Sequence, residues 1–193
     1  MAKETKEPSF MKQLGSKLFY KFLAMAIVAG IAAGAGYVGD WIASLDDDDS
    51  TYEPGTSESQ PTAQVRSFDI GFSVTMIPEL LEQESENNDF FALGEDKLFA
   101  VNCNKFLISE YANYEDLKAF AGGMAEANNT ILQTASDGSF FYIFTNDVQN
   151  YRFYTTVKQG AEHYYTVSFY CDASNWITYK SEFQQWAQSV TVQ

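Results

Sequence analysis

Few residues of this sequence have side chains that commonly carry catalysis. The 193 residues include a single histidine, His163, and two cysteines, Cys103 and Cys171. Catalysis usually needs a nucleophile beside a base, a pair of carboxylates or a bound metal. One histidine cannot build a His-rich zinc site, and no C-x-x-C pair is present to supply thiolates. The sequence also lacks a G-x-S-x-G elbow and a glycine-rich phosphate loop. We therefore predict no catalytic residue, no metal site and no cofactor.

The carboxylates leave one class of enzyme open. The sequence contains 26 Asp and Glu residues, and glycosidases use two carboxyl groups about 5–9.5 Å apart. Distance in space does not follow from position along the chain. A cell-envelope glycan hydrolase is therefore retained as an alternative function.

The two cysteines both fall on the apolar phase of predicted strands. Cys103 shares its phase with Val101, and Cys171 shares its phase with Val167 and Phe169. Outside the cytoplasm a disulfide is permitted, but it requires Cα atoms within about 7 Å of each other. Two hypotheses stay open: a disulfide between Cys103 and Cys171, or two buried thiols.

A hydroxyl-rich phase of two late strands forms a candidate ligand face. Tyrosine offers a flat apolar body and a hydroxyl, so such a face can stack sugar rings or receive a peptide. The alternative is a face half-buried under a helix, because aromatic and β-branched residues are common in strands anyway. The residues concerned are Tyr154, Thr156, Tyr164, Thr166, Ser168 and Tyr170.

The elements that must position these residues can be read from the pattern of apolar side chains. The segments "RSFDIGFSVTMIP" and "KLFAVNCNKFL" alternate with period two and predict one strand each. The polar segment "EQESENNDF" between them predicts a loop. Asn113 then precedes "YEDLKAFAGGMAEAN", which predicts a capped helix whose Gly122 and Gly123 pack closely against a sheet.

Short aromatic runs follow and predict four further strands. The chain closes with "SNWITYKSEFQQWAQSV", a predicted helix. Strand runs with interspersed helices indicate an α+β domain with a largely antiparallel sheet. Because "SFFYIFTN" is apolar on both phases, we expect helices on both faces. The apolar stripe of the last helix is Trp176, Tyr179, Phe183, Trp186 and Val190.

Two segments of this region resemble those of a known family. The opening "FSVTMIP" and the closing "WAQSVTV" are similar to the corresponding parts of PsbP/Mog1-like domains, over about residues 66–193. The resemblance implies an α-β-α sandwich used for binding or assembly, often as a secreted or anchored bacterial module. The chain lacks an aromatic P-x-x-W after Pro78, and the resemblance transfers no functional residue.

The N-terminal third predicts a membrane anchor. Phe22–Gly39 are 18 uncharged residues, which would span about 27 Å as a helix, close to the hydrocarbon thickness of about 30 Å. Lysines precede this run and aspartates follow it, which places the N-terminus in the cytoplasm. We predict a basic cytoplasmic tail (1–21), a transmembrane helix (22–43), an acidic flexible stalk (44–64) and an extracytoplasmic domain (65–193).

Other interpretations of the apolar run remain. It can be a cleaved signal peptide, which would leave a secreted soluble protein, or a buried helix of a soluble domain. Gly30 and Gly34 lie four residues apart, a spacing that lets two membrane helices pack as a homodimer. Glycine is also simply common in membrane helices.

Charge restricts the partners. The net charge of −14 argues against nucleic acid, whose phosphates require clustered basic residues. The sequence as a whole predicts a single-pass, membrane-anchored binding or assembly module at the cell envelope, without catalytic activity. Its expected partners are the lipid bilayer, through Phe22–Gly39, and an envelope protein or the cell-wall polymer.

Overall fold

The computed structural model describes residues 62–193. The predicted tail, the transmembrane helix with Gly30 and Gly34, and the stalk as far as residue 61 lie outside the described residues. Within residues 62–193, no helix is long and apolar enough to cross a membrane.

The described part contains ten strands and two α-helices. The helices are α1 (Leu117–Ala127) and α2 (Trp176–Ser189), and a 3₁₀ turn covers Ile108–Tyr111. The strands are β1 (Gln64–Phe68), β2 (Phe72–Met76), β3 (Leu80–Glu82), β4 (Phe90–Gly94), β5 (Phe99–Leu107), β6 (Gln133–Thr134), β7 (Phe140–Asn146), β8 (Tyr151–Gln159), β9 (His163–Asp172) and β10 (Thr191–Val192).

These strands form two sheets. The larger sheet has seven strands in the order β3-β4-β5-β9-β8-β7-β6, and the smaller has three in the order β1-β2-β10. Every strand pair in the described part is antiparallel. The predicted α+β fold with an antiparallel sheet is confirmed, and the second sheet is an addition to it.

The prediction of one strand over "RSFDIGFSVTMIP" is wrong, because the segment folds back as the β1–β2 hairpin. Gly71 has φ of 99° and donates its N–H to the carbonyl oxygen of Phe68 at 2.9 Å. Glycine adopts this left-handed conformation without the usual steric cost. Phe68 and Phe72 are partners across the hairpin. The alternation of apolar side chains therefore continues through the turn, and the sequence pattern does not reveal the turn.

The front face, defined as the face of the seven-stranded sheet that α2 covers, holds the largest core. Phe183 and Trp186 of α2 pack over Phe99 and Phe169 of the sheet. The three-stranded sheet joins the same core through buried β2 residues, and Ser189 at the end of α2 hydrogen-bonds the backbone of Thr75. The front face is therefore closed by a helix and a second sheet.

The back face, on the opposite side, is covered in part by α1. Phe120 stacks on Tyr164 with ring centroids 4.3 Å apart and packs in one cluster with Tyr142 and Val157. The helix is capped by Asp116, whose Oδ1 accepts the N–H of Ala119 at 2.8 Å, so the predicted cap at Asn113 is three residues early. The prediction of a helix on each face is confirmed.

The two glycines of α1 differ in their surroundings. A Cβ at Gly123 would lie 2.6 Å from the hydroxyl of Tyr114, whereas a Cβ at Gly122 would meet nothing within 4 Å. Only Gly123 is therefore closely packed, and its neighbour is Tyr114. The prediction that both glycines pack against the sheet is wrong.

Candidate functional site

The predicted ligand face does not exist as one surface. The β8–β9 register places Tyr154 opposite Phe169 and Thr156 opposite Val167, and opposite residues of an antiparallel pair share a face. These two residues therefore point to the front face. The other four, on β9, point to the back face, because they lie on the opposite phase to Phe169. They are Tyr164, Thr166, Ser168 and Tyr170.

All six residues are also buried, none more than 6% exposed. Tyr154 stacks on Phe141 with ring centroids 4.9 Å apart, and burial raises the pKa of its hydroxyl to about 12. Thr155 and Ser168 hydrogen-bond each other at 2.8 Å. These side chains pack the domain, in agreement with the alternative of a covered face.

The disulfide hypothesis is contradicted by the register of β5 and β9. Cys103 lies opposite Val167, and Cys171 lies opposite Phe99. Four residues along a strand correspond to about 13 Å, well beyond the limit of about 7 Å for a disulfide. Both cysteines are free and buried. Burial raises the pKa of the Cys103 thiol, and that of Cys171 to about 11, so both remain neutral.

The remaining candidates for chemistry are scattered. His163 begins β9 and meets the ring of Tyr165 edge-on at 6.2 Å. Among residues 62–193, no group of three or more His, Cys, Asp or Glu side chains is arranged to hold a metal ion. The geometry thus brings no predicted chemical residue into a common site.

A shallow depression of about 440 Å³ lies between the start of α1, the β6–β7 turn and β10. Its ionisable groups are Asp137 and Lys158. The Asp137 carboxylate accepts the N–H and the hydroxyl of Ser139, which lower its pKa. Burial lowers the pKa of Lys158. A carboxylate and an ammonium side by side give this open depression no net charge with which to select a ligand.

A continuous apolar line crosses the back face and is here called the aromatic row. It takes one residue from each of six neighbouring strands, each the register partner of the next. In strand order from β3 to β7 the residues are Leu81, Leu93, Ala100, Tyr170, Phe153 and Phe144.

Stacked rings form the centre of the aromatic row. Phe144 and Phe153 lie 4.5 Å apart with ring planes 6° from parallel, and Phe153 and Tyr170 also lie 4.5 Å apart, at 24°. Tyr151 contacts Tyr170 edge-on at 5.8 Å. Such pairs add about 0.5–1.5 kcal/mol each beyond the area that they bury. The rings thus hold one another in place.

The described helices reach the aromatic row at one end only, where Phe144 packs against the cluster under α1. Ala100, Phe153 and Tyr170 form a buried cluster, and the described apolar residues packed against it all lie on strands or at strand ends. Phe91, Leu93, Phe144 and Tyr151 are partly exposed, and Leu81 is 41% exposed. By contrast, α1 packs farther along the sheet on β7 and β8.

On β5, β8 and β9, polar side chains lie between the aromatic row and the cluster under α1, whereas Phe144 on β7 packs against both. This polar belt, defined as Asn102, Asn104, Thr155, Thr166 and Ser168, is buried. Asn104 donates to the side-chain oxygen of Asn88 at 3.2 Å, but the hydroxyl of Thr166 has no hydrogen-bond partner. The back face therefore combines an apolar strip and a hydrogen-bonding strip side by side.

Similar proteins were found by structure but not by sequence. No family model matches the sequence, and no curated protein matches it. The structure is similar to cyanobacterial PsbP (CyanoP) from Synechocystis sp. PCC 6803, with 12% identity and a TM-score of 0.45 over 73% of this chain and 98% of that one. It is also similar to the Saccharomyces cerevisiae Ran-binding protein Mog1p, with 9% identity and a TM-score of 0.41 over 69% and 96%.

The fold is similar to those of PsbP and Mog1p. The resemblance predicted from the sequence is confirmed as a resemblance of fold. With identities of 9–12% and TM-scores below 0.5, the likeness assigns no ligand and no partner to this chain.

Sequence reasoning named Tyr170 of the aromatic row, as part of a ligand face, but missed the row itself. Phe144, Phe153 and Tyr170 each stand in a recognisable strand pattern. Only the pairing of three separate strands brings their rings together. The one available signal was that β7 is apolar on both phases, which required its second face to be covered.

Proposed function

We propose that this chain is a single-pass, membrane-anchored module that binds a partner protein outside the cytoplasm and has no catalytic activity of its own. The observation that carries the proposal is the aromatic row, an apolar strip that meets the cluster under α1 only at Phe144. A sheet face of this kind normally lies under a further layer of structure. A partner protein supplies that layer.

The composition of the aromatic row suits a protein interface. Tyrosine and phenylalanine are enriched at interface cores, and contiguous apolar patches mark interaction sites. The ring faces of Phe144, Phe153 and Tyr170 stack on one another, and Phe153 and Tyr170 are buried. The surface left for a partner is therefore that of the partly exposed Phe91, Phe144 and Tyr151. Sugar recognition uses free ring faces, and the row therefore favours an envelope protein over the cell-wall polymer.

The anchor completes the proposal. Phe22–Gly39 span the bilayer and the acidic stalk carries the domain away from it. Restriction to one membrane raises the effective concentration of module and partner, so weak contacts suffice. If the leader were cleaved instead, the same surface would act in a secreted protein without this advantage.

Site-specific photo-crosslinking in the native membrane tests the binding surface. A benzoylphenylalanine replaces Phe91 or Tyr151 beside the aromatic row, and a control replaces Ile177, which is 87% exposed on α2. We expect a crosslinked protein from the two row positions and none from the control. A crosslink only to a second copy, only to residues 1–61 of the same chain, or equally from all three positions would overturn the assignment.

Protease added to intact cells tests the location. We expect the domain to be degraded while residues 1–21 stay protected. Degradation only after the cells are permeabilised would show that the domain lies inside and would overturn the proposed orientation.

A further inference from the structure

The outer edge of β1 exposes backbone groups that face away from its one neighbour, β2. Thr75 of β2 shows which groups these are, because its N–H and its C=O both hydrogen-bond the hydroxyl of Ser189, on the side away from β1. Its register partner Val65 therefore directs its own N–H and C=O away from β2, and Ser67 does the same two residues later. Within residues 62–193, no further strand lies beyond this edge.

The other sheet edges of the described part are blocked or short. On β3, Gln83 and Glu79 bond the backbone of β4, so the C=O of Glu82 faces outward, where it accepts the side-chain amide of Gln83 at 2.9 Å. β6 and β10 have two residues each. β1 has five residues and is the described edge that combines length with free backbone groups, which is where further strands add.

The side chains of β1 leave the outer face of this strand uncharged. Val65 is 69% exposed, and Ser67 is exposed on the same face. The single charge of the strand is Arg66, which lies on the opposite face. Its guanidinium donates to the carbonyl oxygen of Pro78 at 3.0 Å and lies 3.9 Å from a carboxylate oxygen of Glu79. The charge of Arg66 is therefore already engaged within its own copy.

We infer that β1 pairs antiparallel with β1 of a second copy of this chain, about a two-fold axis at Val65. This register sets Val65 opposite its counterpart and Ser67 opposite Ala63 of the second copy, so the outward groups of both residues gain partners. It also sets Gln64, an uncharged amide, opposite Arg66. An axis at Arg66 would instead set two like charges opposite each other. The two three-stranded sheets become one continuous sheet.

Two features of the chain favour a second copy over a strand of another protein. The interface is isologous, so the same uncharged residues serve both sides and the assembly closes after two copies. Residues 1–61 join the domain directly at β1, and the predicted anchor Phe22–Gly39 would hold two copies in one membrane with these strands at the ends of their tethers. Because tethering raises the local concentration, a short strand pair suffices.

Disulfide trapping in cells that express the full chain tests the register. Under mild oxidation, Val65→Cys should give a covalent dimer on a non-reducing gel, because opposite residues have Cα atoms about 5.5 Å apart. Ser67→Cys would lie about 13 Å from its counterpart along the strands and should give at least tenfold less dimer. Val148→Cys, at a residue that is 96% exposed on the β7–β8 turn, measures random collision. The native Cys103 and Cys171 are buried.

Proline at an outward position tests the backbone hydrogen bonds. Ser67→Pro, added to Val65→Cys, removes an N–H that faces away from β2, so the hairpin keeps its own hydrogen bonds. We expect the covalent dimer to fall several-fold. Glu82→Pro, at an outward position on the β3 edge, is the matched control and should leave the dimer unchanged. Thermal unfolding of each variant checks that it folds.

The outcomes separate this inference from the proposed function. Trapping at Ser67 or Val148 equal to that at Val65, trapping only to another protein, no trapping at all, or a dimer that Ser67→Pro does not reduce would overturn the pairing of β1. None of these results bears on the partner protein, because β1 joins the core of the front face whereas the aromatic row lies on the back face. The photo-crosslinks from Phe91 and Tyr151 test that partner separately.

Discussion

The two faces of the seven-stranded sheet are built from the same strands but are completed differently. On the front face, Phe183 of α2 contacts rings from both the sheet and its own helix, and the three-stranded sheet closes the rest. On the back face, α1 covers one part, and the polar belt and the aromatic row make up another. The front face is covered by a helix and a second sheet, whereas α1 covers only one part of the back face.

This difference indicates what each face is for. Buried hydroxyls and amides cost free energy unless they are hydrogen-bonded, and the Thr166 hydroxyl has no partner. The front face, which holds the largest core of the described residues, should contribute most of the stability of the domain, and the proposed function assigns the partner to the back face.

The contributions of the two faces to stability can be compared most directly by substituting one phenylalanine on each face. Phe183→Ala should lower the free energy of unfolding by about 3–5 kcal/mol, because it opens a cavity in a filled core. Phe144→Ala, on a partly exposed residue, should lower it by about 1 kcal/mol. Urea unfolding followed by near-UV circular dichroism measures both. Equal losses would mean that the two faces contribute alike.

A second test concerns the apolar character of the front face at Cys103. Cys103→Ser places a hydroxyl in a fully buried site beside Val101 and should cost about 2 kcal/mol. Cys103→Ala, the control, leaves a small cavity without a polar group and should cost less. If serine were tolerated as well as alanine, the site would be hydrated and the front core less complete than the structure indicates.

Substitutions at the two glycines of α1 test how closely this helix is packed on the back face. Gly123→Ala should destabilise the domain by about 1–2 kcal/mol, because its Cβ would collide with Tyr114. Gly122→Ala, facing open space, should stabilise it by about 0.5–1 kcal/mol, through helix propensity. Urea unfolding measures both, and changes of opposite sign in the free energy of unfolding are the expected result.

The smallest effect is expected at acidic pH. Hydrogen bonds lower the pKa values of Asp137 and Asp172 in the folded chain, so the unfolded chain binds protons more readily. Their contribution to stability is complete above the unfolded value of about 3.9 and is lost as the pH falls through the lower folded values. Asp137→Asn should flatten the decline of stability below pH 4. A decline as steep as in the parent chain would contradict this assignment.

Much of the fold was predictable from the residues in order. Alternation predicted β5, β7, β8 and β9, the apolar stripe predicted α2, and the order of elements predicted an antiparallel α+β domain. The turn at Gly71 was not predictable in the same way, because Phe68 and Phe72 keep one phase through it. Of the candidate site, the sequence predicted Tyr170, Thr166 and Ser168 as members of a ligand face, but not the rings that pack with Tyr170.

The sequence by itself determined which side chains alternate within each strand and helix, because that periodicity is a property of local backbone geometry. Only the tertiary structure decided which strand residues stand opposite one another. Register separated Cys103 from Cys171, divided Tyr154 from Tyr170, and assembled Phe144, Phe153 and Tyr170 into one row. The reason is that pairing depends on hydrogen bonds between distant segments, and a shift of one residue would exchange the two faces.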